Sequence, residues 1–253
     1  MSKTSGGHFR IVLVLVLIIV AIAATSAWFY HAIKNRQIFI NEWFITDEAT
    51  RGVDISNHQA NVDMQKLAAQ NIKFVYMKAT EGSTYVDNYF ATNWQNAKDA
   101  GLERGAYHFF SFDSTGEAQA ESFINTVGAD LKGDLLPVID VELYGKYETA
   151  PPTRETIVRE VKAMSDRLEA QYGAKPMIYA QRDLYDLYLK GNFDENPRWV
   201  RSIYFPARWE NGDNWLVWQY KDQGELQGYS GGEKYIDLDV LNPHKSLDDI
   251  RIK

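Results

Sequence analysis

Apolar residues run unbroken from Ile11 to Ala24 and, past Thr25 and Ser26, continue through Ala27, Trp28, Phe29 and Tyr30. A helix needs about 20 such residues to cross the hydrocarbon of a bilayer. The pattern therefore predicts one transmembrane signal anchor over residues 11–30. Residues 1–10 carry Lys3 and Arg10, a basic flank that predicts a cytoplasmic N-terminus with the rest of the chain outside. Trp28, Phe29 and Tyr30 fall where the helix meets the far interface. A cleaved signal peptide, cut among Ala24 to Ala27, is the competing reading, but its core is usually only ~7–15 residues long and bulky aromatics do not follow the cut. Residues 31–49 mix Ile38, Phe39, Ile40, Trp43 and Phe44 with polar residues. They read as a juxtamembrane spacer that either lies on the membrane or packs against the body, residues 50–253.

In the body, short apolar runs alternate with longer amphipathic ones. Strands are expected over 52–55, 74–79, 105–110, 135–143 and 177–180, and helices over roughly 62–70, 89–100, 115–127, 153–172 and 184–190. The fourth helix has the clearest signals: Pro151 and Pro152 lead into Thr153, apolar residues follow at helical spacing, and Gly173 stops it. Such alternation implies parallel strands and right-handed crossovers. Then the rhythm breaks. Residues 199–205, 215–220 and 235–241 also read as strands, while the gaps 206–214 and 221–234 look too short for a crossover helix. At least one of these three strands is expected to be antiparallel. Five β/α units followed by three strands fit a small barrel, with a doubly wound open sheet as the alternative. No glycine-rich phosphate loop follows the first strand.

Composition narrows the function. The chain has 253 residues, a net charge of −7 and no cysteine. Thiol nucleophiles, disulfides and cysteine metal sites are thereby excluded. Residues 1–36 hold four basic side chains and no acid, so the remainder carries −11. A body that acidic is ill suited to phosphate neutralisation, which excludes nucleic acid as a partner. The five histidines show no metal-ligand spacing, and no metal or organic cofactor is called for.

The informative stretch is Pro137-Val138-Ile139-Asp140-Val141-Glu142. With a period of two, Val138, Asp140 and Glu142 share one face, and Ile139 and Val141 the other. In a barrel the first face looks inward and sets two carboxylates at the C-terminal mouth, where such folds keep their chemistry. Neighbouring carboxylates oppose each other's ionisation, which favours one neutral acid beside one anion. Glycoside hydrolysis requires that pair. Asp54, Asp237 and Asp239 are further acids at strand ends. Lys78 and Glu81 close the second strand, either as an ion pair or against substrate. Tyr107, Phe109, Tyr179, Trp209 and Trp218 offer aromatic faces to sugar rings. His108 has the opposite parity from Tyr107 and belongs to the core.

Seven short stretches in order carry a resemblance. They are Gly52-Val53-Asp54-Ile55-Ser56 with His58-Gln59; Lys78-Ala79-Thr80-Glu81-Gly82; Arg104-Gly105-Ala106-Tyr107-His108-Phe109; Pro137 to Glu142; Ile178-Tyr179; Trp218-Gln219-Tyr220; and Ile236-Asp237-Leu238-Asp239-Val240-Leu241. Together they resemble the glycoside hydrolase family 25 lysozymes, the Chalaropsis type of N-acetylmuramidase. The resemblance implies an α/β, TIM-like (β/α)5β3 barrel that cleaves the β-1,4 bond between N-acetylmuramic acid and N-acetylglucosamine in peptidoglycan. By position it makes Glu142 the general acid and Asp140 the partner that stabilises positive charge or orients the N-acetyl group. Asp54 and Asp237 complete the acidic cluster, with Tyr107 and Tyr179 near the sugar. Family members often carry Asn where Asp239 stands. The expectation is thus a monomeric, membrane-anchored muramidase outside the cytoplasmic membrane. A catalytically weak glycan-binding module on the same fold is the alternative.

Overall fold

A computed structural model describes residues 5–253; Lys3, part of the basic flank, lies outside the described residues. The apolar segment forms α1 (Ser5–Lys34), longer than the expected span at both ends. From His8 to His31 it is exposed, whereas Ala32 and Ile33 are buried. The body contains β1 (Arg51–Ile55), β2 (Ile72–Glu81), β3 (Tyr85–Val86), β4 (Glu103–Phe109), β5 (Val138–Asp140), β6 (Met177–Gln181), β7 (Arg198–Arg201), β8 (Val217–Gly224) and β9 (Ile236–Leu241). Eight of them close a barrel in the order β1-β2-β4-β5-β6-β7-β8-β9, and β9 pairs back onto β1. Only β9 runs antiparallel to both its barrel neighbours. The short β3 is an antiparallel addition at the end of β2.

Helices cover the first strands in the expected order: α2 (Met64–Ala69), α3 (Phe90–Asp99), α4 (Gly116–Val127), α5 (Arg154–Tyr172), and α6 (Arg182–Leu184), which continues as a π-helical turn over Tyr185–Leu189. Thr153 caps α5 by accepting the Thr156 N–H at 3.3 Å, and Gly173 ends it in the left-handed conformation, φ 74°. Inside the barrel, bulky rings on β2 are accommodated by glycines across the pairing. Gly52 lies opposite Phe74 and Gly105 opposite Tyr76; a Cβ on either glycine would come within 2.2 or 2.1 Å of those rings.

Two expectations about late elements are corrected. The segment between β7 and β8 does make a parallel crossover, because β7 ends at Arg201 and β8 begins at Val217, leaving room for α7 (Ala207–Asn211). The strand expected over 135–143 is regular only at Val138–Asp140. Pro137 offers just its carbonyl to the sheet, accepting the Met177 N–H, and Leu135 pairs instead with Arg251.

No long helix follows β7, and the outer faces of β8 and β9 find another cover. Trp215, Trp218, Tyr220 and Val240 form an outer cluster, against which Ile45 and Ala49 pack. Asn41, buried in the turn Ile40–Phe44, donates from Nδ2 to the carbonyls of Ser202 and Tyr220 at 2.8 and 2.9 Å. Glu42 pairs with Lys221 at 2.7 Å. Of the two placements open to residues 31–49, the second part of the segment takes packing against the body.

Asn41→Ala should destabilise the barrel by about 1–3 kcal/mol, since the Tyr220 carbonyl loses this donor and the Ser202 carbonyl is left with Trp218 alone. Glu42→Ala, at a half-exposed pair, should cost less than about 1 kcal/mol. Urea unfolding of the detergent-solubilised full chain compares them; equal midpoints for Asn41→Ala and wild type would show that the segment does not hold the barrel.

Candidate active site

The C-terminal ends of the parallel strands open into a cavity of about 420 Å³. β5 supplies Val138 and Asp140 to its wall and the residues just beyond it add Glu142, in agreement with the alternation in the sequence. β1 adds Asp54, β9 adds Asp237, and Asp54 and Asp237 are direct cross-strand partners. Tyr107 and Phe109 from β4, Tyr179 from β6 and Lys78 from β2 line the same space. Nine of the eleven residues expected to act on substrate therefore converge here or at its edge. Glu81 is the one at the edge: it pairs with Lys78 at 2.5 Å and lines a shallower adjoining hollow. The Lys78 ammonium also sits 4.7 Å from the Phe109 ring centre, a cation–π contact.

Trp209 and Trp218 are not at this site. Trp209 lies on α7, exposed, and Trp218 points outward from β8, where its Nε1 donates to the Ser202 carbonyl at 2.8 Å. The inward residue of that stretch is Gln219. The aromatic parity of β8 misled because its outer face is buried too, beneath Ile45 and Ala49. His108 is in the core as expected, between Thr80 Oγ1 at 2.7 Å and Gln119 Oε1 at 2.9 Å. Burial pushes its pKa down to about 4.

The residues that sequence reasoning missed are those that organise the acids. Gln219 Nε2 donates to Asp54 at 2.8 Å, while its Oε1 accepts from the Tyr179 hydroxyl at 3.0 Å. This side chain therefore ties β1 to β6 across the cavity. Arg201, at the end of β7, pairs with Asp222 of β8 at 2.9 Å, and both line the cavity. Trp199 and Gln181 line it as well. The available signal was alternation on β7, where Trp199 and Arg201 share the inward face. Reading the stretch 199–205 as an undivided strand hid it.

Burial dominates the electrostatics. Desolvation raises Asp54 to about 6, helped by the charge of Glu142 and opposed by Gln219, Asp239 and Arg201. Asp140 is raised well above the usual carboxylate range by burial, then by Glu142 and Asp54. Asp237 is raised by burial, then by Asp54 and Asp222. Glu142 is raised by burial against the pull of Arg201, Tyr179 and Gln181. All four shifts favour the protonated form, and Glu142 lies two residues beyond Asp140, past the regular end of β5. Among the described residues no three His, Asp or Glu side chains converge in a way suited to a metal ion.

Asp239 also points into the barrel, one level below Asp237 and fully buried. Its Oδ1 accepts from Trp199 Nε1 at 3.0 Å. Its pKa is raised well above the ordinary value by burial, by the neighbouring Asp54 and Asp237 charges and by the hydrogen bond it makes to Asp54. Its Oδ2 receives no hydrogen bond, so a bond between this carboxyl and Asp54 requires one shared proton.

The chain matches the model of glycosyl hydrolases family 25 over residues 53–229. It is 30% identical to an N,O-diacetylmuramidase of Chalaropsis sp, over 77% of this chain and 97% of that protein. With the autolytic lysozyme of Clostridium acetobutylicum it shares 32% identity, over 76% of this chain and 56% of that protein. A solved family 25 glycosyl hydrolase from Bacillus anthracis superimposes with a TM-score of 0.73 at 43% identity, covering 81% of this chain and 94% of that one. The chain belongs to glycosyl hydrolase family 25.

Carboxyls whose folded pKa is raised bind more protons folded than unfolded, so their contribution to stability falls as pH rises from about 4 through the folded value. Asp239→Asn keeps the Trp199 acceptor and supplies a permanent donor toward Asp54. The variant should match wild type in thermal unfolding at pH 4 and unfold at a higher temperature at pH 7. An unchanged or lowered midpoint at pH 7 would show that Asp239 is not held as the neutral acid.

Proposed function

We propose that this family 25 enzyme is a peptidoglycan hydrolase that cleaves the β-1,4 bond between N-acetylmuramic acid and N-acetylglucosamine. The observation that carries the reading is the convergence of Asp54, Asp140, Glu142 and Asp237 at one barrel mouth, beside Tyr107 and Tyr179. A glycan-binding module would gain nothing from four desolvated carboxyls, which are costly to bury and contribute chiefly by handling protons and stabilising positive charge.

The roles follow from position. Glu142 gives its proton to the bridging oxygen as the bond to the anomeric carbon breaks. Asp140, deeper on the same strand, faces the developing positive charge or the N-acetyl group that shares it. Asp54 and Asp237 extend the negative field, and Gln219 fixes the orientation of Asp54. Water then adds its hydroxyl to the anomeric carbon, and its proton restores Glu142. Arg201 favours the ionised form of Glu142 and so keeps its pKa from climbing further. Tyr107, Tyr179, Phe109, Lys78 and Glu81 shape the groove for the sugar chain.

The second part of the reading is topological. Within α1, the stretch His8–Lys34 contains an 18-residue window of mean hydropathy 2.8, none of which is buried within the fold. An unburied helix of that composition is costly in water, which supports a retained single-pass anchor with the barrel on the extracytoplasmic side.

Two outcomes are expected. Glu142→Gln should lower turnover of labelled peptidoglycan by at least about 10²-fold, the usual scale of general acid help, with glycan binding intact. Arg201→Met should shift the alkaline limb of the kcat/KM profile to higher pH, because Glu142 then stays protonated longer; retention of a tenth of the rate by Glu142→Gln would remove it as the acid. The anchor is tested by alkaline extraction of membranes and N-terminal sequencing of the mature chain. Recovery of a soluble chain beginning near Trp28 would establish cleavage instead.

A further inference from the structure

The exposed aromatics around the foot of the helix form a ladder between α1, the juxtamembrane segment and the loop after β7. At the catalytic rim, the Lys34 ammonium sits 3.9 Å from the Tyr204 ring centre. Arg36 pairs there with Asp222 and donates to the Tyr204 hydroxyl at 3.4 Å. One turn back along the helix, Tyr30 stacks on Phe205 with ring centres 6.4 Å apart. Phe29 lies 6.5 Å from Trp43, and the adjacent Phe44 meets Trp209 edge to face at 5.4 Å. From the rim, the chain passes Asn41 and Phe44 and reaches the base at Thr50, whose carbonyl accepts the Leu241 N–H. The walk from rim to base therefore runs in the same sense as the walk down α1 toward its apolar span.

That shared sense fixes depth. A spanning α1 puts Trp28, Phe29 and Tyr30 at the bilayer interface, and Trp43 cannot be far from the level of Phe29. Trp43, Phe44 and Trp209 are 70%, 49% and 62% exposed, although each is a large aromatic residue. Tryptophan and phenylalanine in such numbers at one level suit the headgroup layer, where an apolar ring is shielded and an indole N–H remains hydrated. Beside them, a groove between Phe44, Ile45, Trp209 and Trp215 continues the apolar surface toward the base.

We propose that Trp43, Phe44 and Trp209 are a lipid-docking surface that seats the barrel on the outer face of the bilayer, its base toward the lipid and its catalytic mouth toward the wall. This rests on the reading of α1 as a retained anchor. The occupant is the lipid surface itself. The seating follows from the ring contacts to Phe29 and Tyr30, which leave no free linker between span and barrel.

The absence of cysteine makes the test direct. Glu48→Cys places a fluorophore beside Phe44, and Glu148→Cys places one on the rim loop after β5. Full-length protein is reconstituted into vesicles containing headgroup spin-labelled phosphatidylcholine. Quenching at position 48 should exceed that at 148 several-fold. Combined Trp43→Ser, Phe44→Ser and Trp209→Ser should erase the difference, while the chain still resists alkaline extraction and still hydrolyses isolated peptidoglycan at the wild-type rate. Each single exchange should show part of the loss, which guards against misfolding of the triple variant. Equal quenching at both positions in an alkali-resistant chain, or a difference that survives the triple exchange, overturns the docking surface and leaves the anchor standing. Release by alkali overturns the anchor, and the docking surface with it.

Discussion

The interior of an eight-stranded barrel is just wide enough for side chains, so residues at each level must fit one another in volume and polarity. The lower levels obey this with rings against glycines: Phe74 opposite Gly52, and Tyr76 opposite Gly105. Trp199 then fills the centre, 4.9 Å from the Tyr76 ring and 5.2 Å from that of Tyr179. This apolar plug is the floor on which the acids stand. It excludes water from beneath them, and that exclusion, more than mutual repulsion, raises their proton affinity. The chemistry at the mouth is therefore a consequence of packing below it.

The second constraint is closure. Returning the chain antiparallel through β9 brings Asp237 beside Asp54 in direct register, which a further parallel strand reached by a crossover would not do as briefly. Closure without long helices leaves the outer faces of β8 and β9 bare. Their aromatics would face water were it not for residues 40–49, which take the place of a missing crossover helix. One segment thus completes the barrel and leads to α1. Through Arg36 and Asp222 it also touches Arg201, a residue on the cavity wall. Barrel, rim and the foot of α1 are joined by these contacts.

Most of the barrel was legible in the sequence because its signals are local. Asp140 and Glu142 were placed on the inner face by alternation alone, and α5 by Thr153 and Gly173. What escaped was set by contacts distant in the chain. Trp218 looks like a substrate platform until Ile45 and Ala49, some 170 residues earlier, are seen to bury it. Gln219 is an unremarkable amide until Asp54 and Tyr179 close on it from two other strands. The extent of β7 depended on where a helix could begin, and Pro206 placed that start five residues beyond the strand. No periodicity in one segment reports such pairings.

Asp239 shows how a buried acid can be tolerated where an amide would serve. Its Oδ1 takes the indole hydrogen of Trp199, and its other oxygen faces a carboxylate. Ionised, it would put two like charges side by side in a space without water, at a cost that no nearby cation offsets. Protonated, it offers Asp54 the hydrogen bond that an amide N–H would offer, through the oxygen that otherwise has no partner. The proton is thus part of the packing at that level, held by the same exclusion of water that keeps protons available at the mouth. Above the apolar floor, burial raises the proton affinity of both Asp239, deep in the barrel, and Glu142, beyond the end of β5.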